Sequence, residues 1–420
     1  MIETNPLIAL AAYLLAIVSA ALLLRVVPKI ARHLQHSGES RYASIDGLRG
    51  YLAFGVFVHH AVITWIFLRT GEFGFPPSNF YSMIGQGSVA LFFMITGFLF
   101  WNRLLTQGRQ HDWLAFGISR VFRLYPLYLP LMLIVFVTVF HLQNWELKEP
   151  GSALFKQILA WLTFDRPDIN QYPQTGMLIS NVTWTLAYEV FFYLALPLAG
   201  MVFIYRGSWI QVVLCLIGIY ALYQVIGWEH SLKKHFLASF LGGIAAAYWI
   251  RKPALVAWSR TRLAGVVAVL ALVIAFTAFN RAFKTGPLFL LSLFFVIVAS
   301  GNSLFGALKP RSIRWLGEIS YSTYLLHGFV LWLMVQRLPL LLNLDAREAD
   351  VYLPLMLNLD ATEAWVYLPL VAACTCLLIV ISSATFLYIE LPGMAAGKKV
   401  LQWIRSRQKG DKQLSEKVAR

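Results

Sequence analysis

The sequence predicts an all-α protein, a polytopic bundle of about eleven transmembrane helices. Three observations carry this. Of the 420 residues, 59% are hydrophobic and only 13% are charged, about half the roughly 25% charged residues usual in soluble domains. The apolar residues gather into runs near the ~20-residue length that crosses a bilayer. The Lys and Arg residues also sort by side: 25 of the 35 fall on one alternating set of connections and 10 on the other. That asymmetry marks cytoplasmic loops, and it places the N-terminus outside and the C-terminus in the cytoplasm. The net charge of +15 is built from these loop clusters, so nucleic acid is not an expected partner. Cys215, Cys374 and Cys376 all lie inside apolar runs, so neither a disulfide nor a metal site is expected.

The spans follow in order. Residues 7–24 form the first, with Glu3 before it and Arg25, Lys29 and Arg32 after it, the reverse of a signal peptide's charge order. The second runs over 50–68 and the third over 83–101, with a Gly- and Pro-bearing loop between them. Arg103, Arg109, Arg120 and Arg123 mark the inside before the fourth span, 124–142. An outer segment, 143–180, holds Glu146, Glu149, Asp165 and Asp168, and its stretch 152–164 reads as an amphipathic helix on the membrane. Spans at 182–204, 209–227, 236–250, 263–279, 286–304, 316–336 and 366–389 complete the set, and a basic tail runs to Arg420. The chain divides into 1–43 (an extra N-terminal helix and cytoplasmic linker), 44–392 (the membrane domain) and 393–420 (the tail). One outer loop carries a tandem repeat: LPLLLNLDAREADVY at 338–352 recurs as LPLMLNLDATEAWVY at 353–367, identical at 12 of 15 positions. Two short copies make no solenoid, and a small duplication in a tolerant loop is the expectation.

Ionisable groups inside spans are costly and mark functional sites. The second span begins Asp46-Gly47-Leu48-Arg49 and ends its apolar run on His59-His60. At 100° and 1.5 Å per residue, Arg49 and His60 face within about 20° of each other and lie about 16 Å apart, while His59 points about 80° away. His60 therefore sits near the middle of a bilayer. Glu189 lies about 12 Å inside the fifth span. The tenth span carries Ser320, Thr323, Tyr324 and His327 at i, i+3, i+4 and i+7, one polar stripe on an apolar helix. His60, Glu189 and His327 are expected to meet near the midplane. A second cluster at the cytoplasmic face joins Asp46, Arg49, Arg120, Arg123, Tyr125 and Glu390. Arg and Tyr side chains there suit a phosphate-bearing ligand.

These stretches resemble acyltransferase family 3. The residues that carry the resemblance are Asp46-Gly-Leu-Arg49 with His60, Gly87-Ser-Val-Ala-Leu-Phe92-Phe93-Met-Ile-Thr96-Gly97-Phe98, Arg120-Val-Phe-Arg123-Leu-Tyr-Pro126, Trp184-Thr-Leu-Ala-Tyr-Glu189-Val-Phe-Phe192-Tyr193 and Leu316-Gly317-Glu-Ile-Ser320-Tyr321-Ser-Thr-Tyr324-Leu-Leu-His327. They come in the family's order and cover about 44–392. The resemblance implies integral-membrane O-acyltransferases with ten helices, acting on extracytoplasmic carbohydrates and some lipids or small molecules. It also implies an acyl-CoA co-substrate, often acetyl-CoA, with no bound cofactor, a bacterial inner (plasma) membrane, and roles for Arg49 and His60. His60 would be the general base, with Glu189 or His327 orienting it or the acceptor. Asp46, Arg49, Arg120, Arg123, Tyr324 and Trp184 would line the substrate sites, and partners would be acyl-CoA, a glycan or lipid-linked acceptor, and membrane lipid. A covalent acyl-enzyme relay and a transporter or flippase with a proton relay are the other readings. The chain departs from the family in its extra first helix, in Ala90 where Asp is common, in the single acidic residue at Glu189, and in the repeat.

Overall fold

A computed structural model describes residues 5–36, 42–204, 208–230, 232–334 and 364–418. Among these residues the chain is helical with no strand. The helices are α1 (Pro6–Val26), α2 (Pro28–His36), α3 (Ala43–Thr70), α4 (Asn79–Gln107), α5 (Trp113–Leu142), α6 (Gly151–Leu162), α7 (Trp184–Phe203), α8 (Trp209–His230), α9 (Lys234–Trp249), α10 (Pro253–Ser259), α11 (Arg262–Ala278), α12 (Thr285–Ala299), α13 (Arg311–Glu318), α14 (Ser320–Trp332), α15 (Ala364–Thr385) and α16 (Leu391–Val418). Every predicted span is found as helix. Seven helices are long and apolar enough to cross a membrane, and the pair α10–α11, bent by 73°, makes an eighth if taken as one span. The three remaining spans fall below that length: α9 has 16 residues and α12 has 15, while the tenth divides at Ile319 into α13 and α14.

Local chemistry explains where the elements begin. Asn5 caps α1, accepting the Leu7 N–H at 3.0 Å, and Pro6 takes the first helical position, where its missing N–H has no cost. The buried face of α1 is Ala9, Ala12, Ala16 and Ala20. Small side chains let helices approach closely where lipid removes the hydrophobic drive between them, and α1 packs along α15 and α13. The second span starts seven residues before its apolar run, because Ile45 and Leu48 are themselves buried. Asp46 and Arg49 are therefore inside the first two turns of α3. The fourth span likewise starts at Trp113, where Asp112 caps it by accepting the Ala115 N–H at 2.9 Å. That N–H, and then Arg405 of α16, hold the Asp112 carboxyl below the ordinary carboxylate range. Arg120 and Arg123 thus lie inside α5 rather than at its start.

The segment between α5 and α7 turns back into the bundle. Tyr125 Oη donates to the Leu162 carbonyl at 2.9 Å and Tyr128 Oη to that of Trp161 at 2.5 Å. Tyr324 Oη in α14 donates to the Val182 carbonyl at 2.9 Å. Arg166 Nη1 donates to the Asn181 carbonyl at 2.5 Å and so ties the two ends of the loop. The loop comes closest to α14 at Gly328, where a Cβ would stand 2.3 Å from the Ile179 carbonyl carbon. Only glycine lets the two backbones approach so far.

The tandem repeat lies almost wholly outside the described residues, and its last four residues open α15. Tyr367, its final residue, is buried, stacks on Trp65 with centroids 4.7 Å apart, and donates to the Ala61 carbonyl at 2.5 Å. Deleting 353–367 joins Val351-Tyr352 to Leu368-Pro369, so Tyr352 takes the place of Tyr367. The deletion is therefore expected to leave a folded, active protein. Normal membrane levels with lost activity would show instead that the loop takes part in acceptor binding.

Candidate active site

Two histidines from different helices meet in the interior. The rings of His60 in α3 and His327 in α14 lie with centroids 4.9 Å apart and planes tilted by 35°, and His327 Nε2 is 3.0 Å from His60 Nδ1. The neighbours of each ring assign the protons. His327 Nδ1 faces the carbonyls of Tyr324 at 2.8 Å and Thr323 at 3.3 Å, so it carries the hydrogen and donates. His327 Nε2 is then a lone pair, and it accepts from His60 Nδ1–H, which also points at the Val56 carbonyl at 3.1 Å. His60 Nε2 is left as a lone pair with no partner among the described residues. His327 is fully buried and His60 is half-buried, so the outer ring of the pair holds the available base.

His59 is arranged differently. Its Nδ1 lies 2.7 Å from the Tyr81 carbonyl, and its ring lies against α4 at Gly85, where a Cβ would stand 2.2 Å from Cγ. The helical-face expectation thus holds: His60 turns to the other chemistry-bearing helix and His59 packs.

The predicted triad closes only in part. Glu189 does not reach either histidine; its Oε2 accepts from Tyr193 Oη, one turn on, at 2.7 Å. It lines a cavity of about 390 Å³ together with Arg49, Arg120, Arg123, Glu318 and Tyr324. The reason is direction along α7, which brings Glu189 and Tyr193 beside the start of α5 rather than beside α14's histidine. All three predicted arginines therefore converge on one space. Among the described residues, Arg49 makes no hydrogen bond or ion pair, and both Arg120 Nε and Ser320 Oγ are buried without a partner. Arg123 is held by Glu390, Nη1 to Oε2 at 2.7 Å, with Ser322 Oγ donating to the other carboxylate oxygen. Glu390 ends a five-residue π-helical segment, Phe386–Glu390. Such a segment re-aims side chains and recurs at functional sites. Tyr324 lines the cavity and shares a 2.8 Å hydrogen bond with Thr185.

Two predicted residues lie apart. Trp184 sits among Phe236, Tyr188 and Phe93, at centroid distances of 4.9, 5.5 and 6.4 Å, and Asp46 lies one turn before Arg49; neither lines the cavity. The sequence reading placed Tyr193, Glu318 and Ser322 inside the family motifs but gave them no role in the site. Tyr193 was legible as the i+4 neighbour of Glu189, and Glu318 as the lone acid after Lys309, Arg311 and Arg314.

A second cavity, of about 160 Å³, is lined by Thr64, Phe67, Phe73, Tyr172, Gln174 and Trp332, among others. Thr64 is one turn beyond His60 and donates to its carbonyl at 2.8 Å. Gly328, next to His327, also lines it, as Tyr324, three residues before His327, lines the first. Neither histidine lines either cavity, and each cavity reaches a sequence neighbour of the pair: the first is rich in arginine, and the second has no charged side chain among the described residues of its lining.

Comparison with known proteins identifies the family. The model of the acyltransferase domain matches residues 42–386. The peptidoglycan O-acetyltransferase OatA of Listeria monocytogenes serovar 1/2a is 27% identical over 324 residues, covering 68% of this chain and 48% of that protein. The chain thus spans about half the length of that curated relative. No solved structure matches. With the matched domain spanning most of its length, the chain belongs to the acyltransferase family 3 enzymes.

Proposed function

We propose that this enzyme transfers an acyl group, acetyl in the simplest case, from cytosolic acyl-CoA to a hydroxyl of an extracytoplasmic carbohydrate. The observation that carries the reading is the proton order in the His60–His327 pair, which leaves His60 Nε2 a lone pair with no partner among the described residues. The arginine cavity suits the phosphates of CoA, because guanidinium groups bind them in charge-assisted forks. The acceptor hydroxyl gives its proton to His60 Nε2 while its oxygen bonds to the thioester carbon. The C–S bond then breaks, and the thiolate takes the proton as CoA leaves. Imidazole is the side chain most often used to take such a proton. His327 fixes its tautomer and shares the developing positive charge. The likeness to a peptidoglycan O-acetyltransferase favours a cell-wall glycan as acceptor. One base serves both the deprotonation of the acceptor and the return of the proton to the thiolate, so direct transfer is favoured over an acyl-enzyme relay.

The test is transfer of labelled acetyl from acetyl-CoA by the purified protein to envelope glycan, with mass spectrometry of the glycan from cells with and without the protein. A missing acetyl mass in cells without it supports the reading; identical glycans overturn it. Orientation has its own test. Cysteine placed by Glu3→Cys should react with an impermeant maleimide in intact cells, and cysteine placed by Lys412→Cys should be protected. The opposite pattern would put the arginine cavity on the wrong side for cytosolic CoA.

A further inference from the structure

We infer that the second cavity is the acceptor subsite and that it takes a single neutral sugar ring; this rests on the acyl-transfer reading above. Its lining holds four aromatic side chains, Phe67, Phe73, Tyr172 and Trp332, and the neutral polar residues Thr64, Gln174 and Ser180. No Asp, Glu, Lys or Arg is among the described residues of the lining. A flat, C–H-bearing ring with hydroxyls matches aromatic faces interrupted by amide and hydroxyl groups, whereas an anion or a cation would find no counter-charge. At about 160 Å³ the cavity is smaller than the roughly 300–1,000 Å³ that encloses a whole drug-sized ligand. It holds one ring, and the rest of the glycan continues outward.

The backbone supports the same assignment. Gln174 and Ser180 flank the short 3₁₀ turn Thr175–Ile179, and both are non-glycine residues in the left-handed region, at φ 57° and 50°. Six of the ten such residues described lie between Phe164 and Asn181. Each costs on the order of 1–3 kcal/mol and persists where surrounding structure imposes it, commonly at ligand clamps. Here the imposing contacts are Thr175 N–H to Asp168 at 3.0 Å, Ile169 N–H to Thr175 Oγ1 at 3.0 Å, and the close approach to Gly328. The floor of the cavity is Thr64 and Gly328, one turn beyond His60 and next to His327. Thr64 is four residues past His60 and shares its helix face, so a ring seated there lies on the side of α3 that carries the histidine pair.

The experiment uses the full chain in lipid nanodiscs, labelled acetyl-CoA, and chitotetraose as the acceptor probe. Trp332→Ala is expected to raise the KM for chitotetraose about tenfold, the loss of a stacked aromatic face. Gln174→Ala should raise it about three- to tenfold, the loss of one hydrogen bond. The KM for acetyl-CoA should not follow, and Trp332→Phe should recover most of the loss, which a merely unfolded variant would not. Unchanged chitotetraose KM in both variants, with transfer intact, overturns the subsite and leaves the acyl-transfer reading standing. Consumption of acetyl-CoA with no label reaching chitotetraose in the unsubstituted protein overturns the glycan reading and the subsite together.

Discussion

His60→Gln is expected to lower the acyl-transfer rate about 10²–10⁴-fold, the usual worth of a general base, with normal membrane insertion. Glutamine keeps polarity and approximate size but cannot take a proton at neutral pH. The adjacent histidine is the control. His59 bonds the Tyr81 carbonyl and packs on α4, so His59→Gln should cost far less rate and show its effect mainly in stability. Rates at saturating acyl-CoA decide the matter. A dead His59→Gln beside an active His60→Gln would reject both the helical-face reading and the proton order drawn from His327. That order also sets the sign for His327. Replacing it frees His60 to change tautomer, so kcat should fall while the acyl-CoA KM stays near its value.

The second large effect is expected at the Arg123–Glu390 pair. Glu390 is fully buried and Arg123 nearly so, with side-chain exposures of 0% and 16%. Removing one partner of a buried pair typically costs about 3–5 kcal/mol, because the other charge is left uncompensated. Glu390→Ala should therefore destabilise strongly, and Ser322 would lose its acceptor as well. The double replacement, Arg123→Met with Glu390→Met, should cost much less than the sum of the single losses. Unfolding of the purified protein in SDS, taken through the full cycle, reads this directly. Additive losses would mean that the pair contributes no coupling and that Arg123 is positioned by something else. Arg123→Gln, which keeps a hydrogen-bond donor, should raise the acyl-CoA KM more than the acceptor KM.

Apolar runs, basic loop flanks and the period of 3.6 were enough to find each membrane span, because those signals are local and the membrane allows little else, but α2, α10 and α16 lie in stretches read as linker, connection and basic tail. The same periodicity separated His60 from His59 and drew the stripe Ser320, Thr323, Tyr324 and His327. Arg49, Arg120 and Arg123 could be assigned to one end of the bundle from charge alone, and the structure gathers them in one cavity. Helix ends were less legible. α3 and α5 start well before their apolar runs because burial of Ile45 and Leu48, and the Asp112 cap, extend them. Depth in a span gave no rotation between helices, so Glu189 matched His60 in depth yet pairs with Tyr193. Nor could any local pattern foretell that the polar segment after α5 folds back to Tyr125, Tyr128 and Tyr324 and builds the second cavity. The sequence by itself determined the class, the spans and which residue types carry the chemistry, since these follow from transfer into lipid and from helix geometry. Only the tertiary structure decided which of those residues touch. The 3.0 Å contact between His60 and His327 joins positions 267 residues apart, and such a contact is set by how whole helices pack, not by any spacing along the chain.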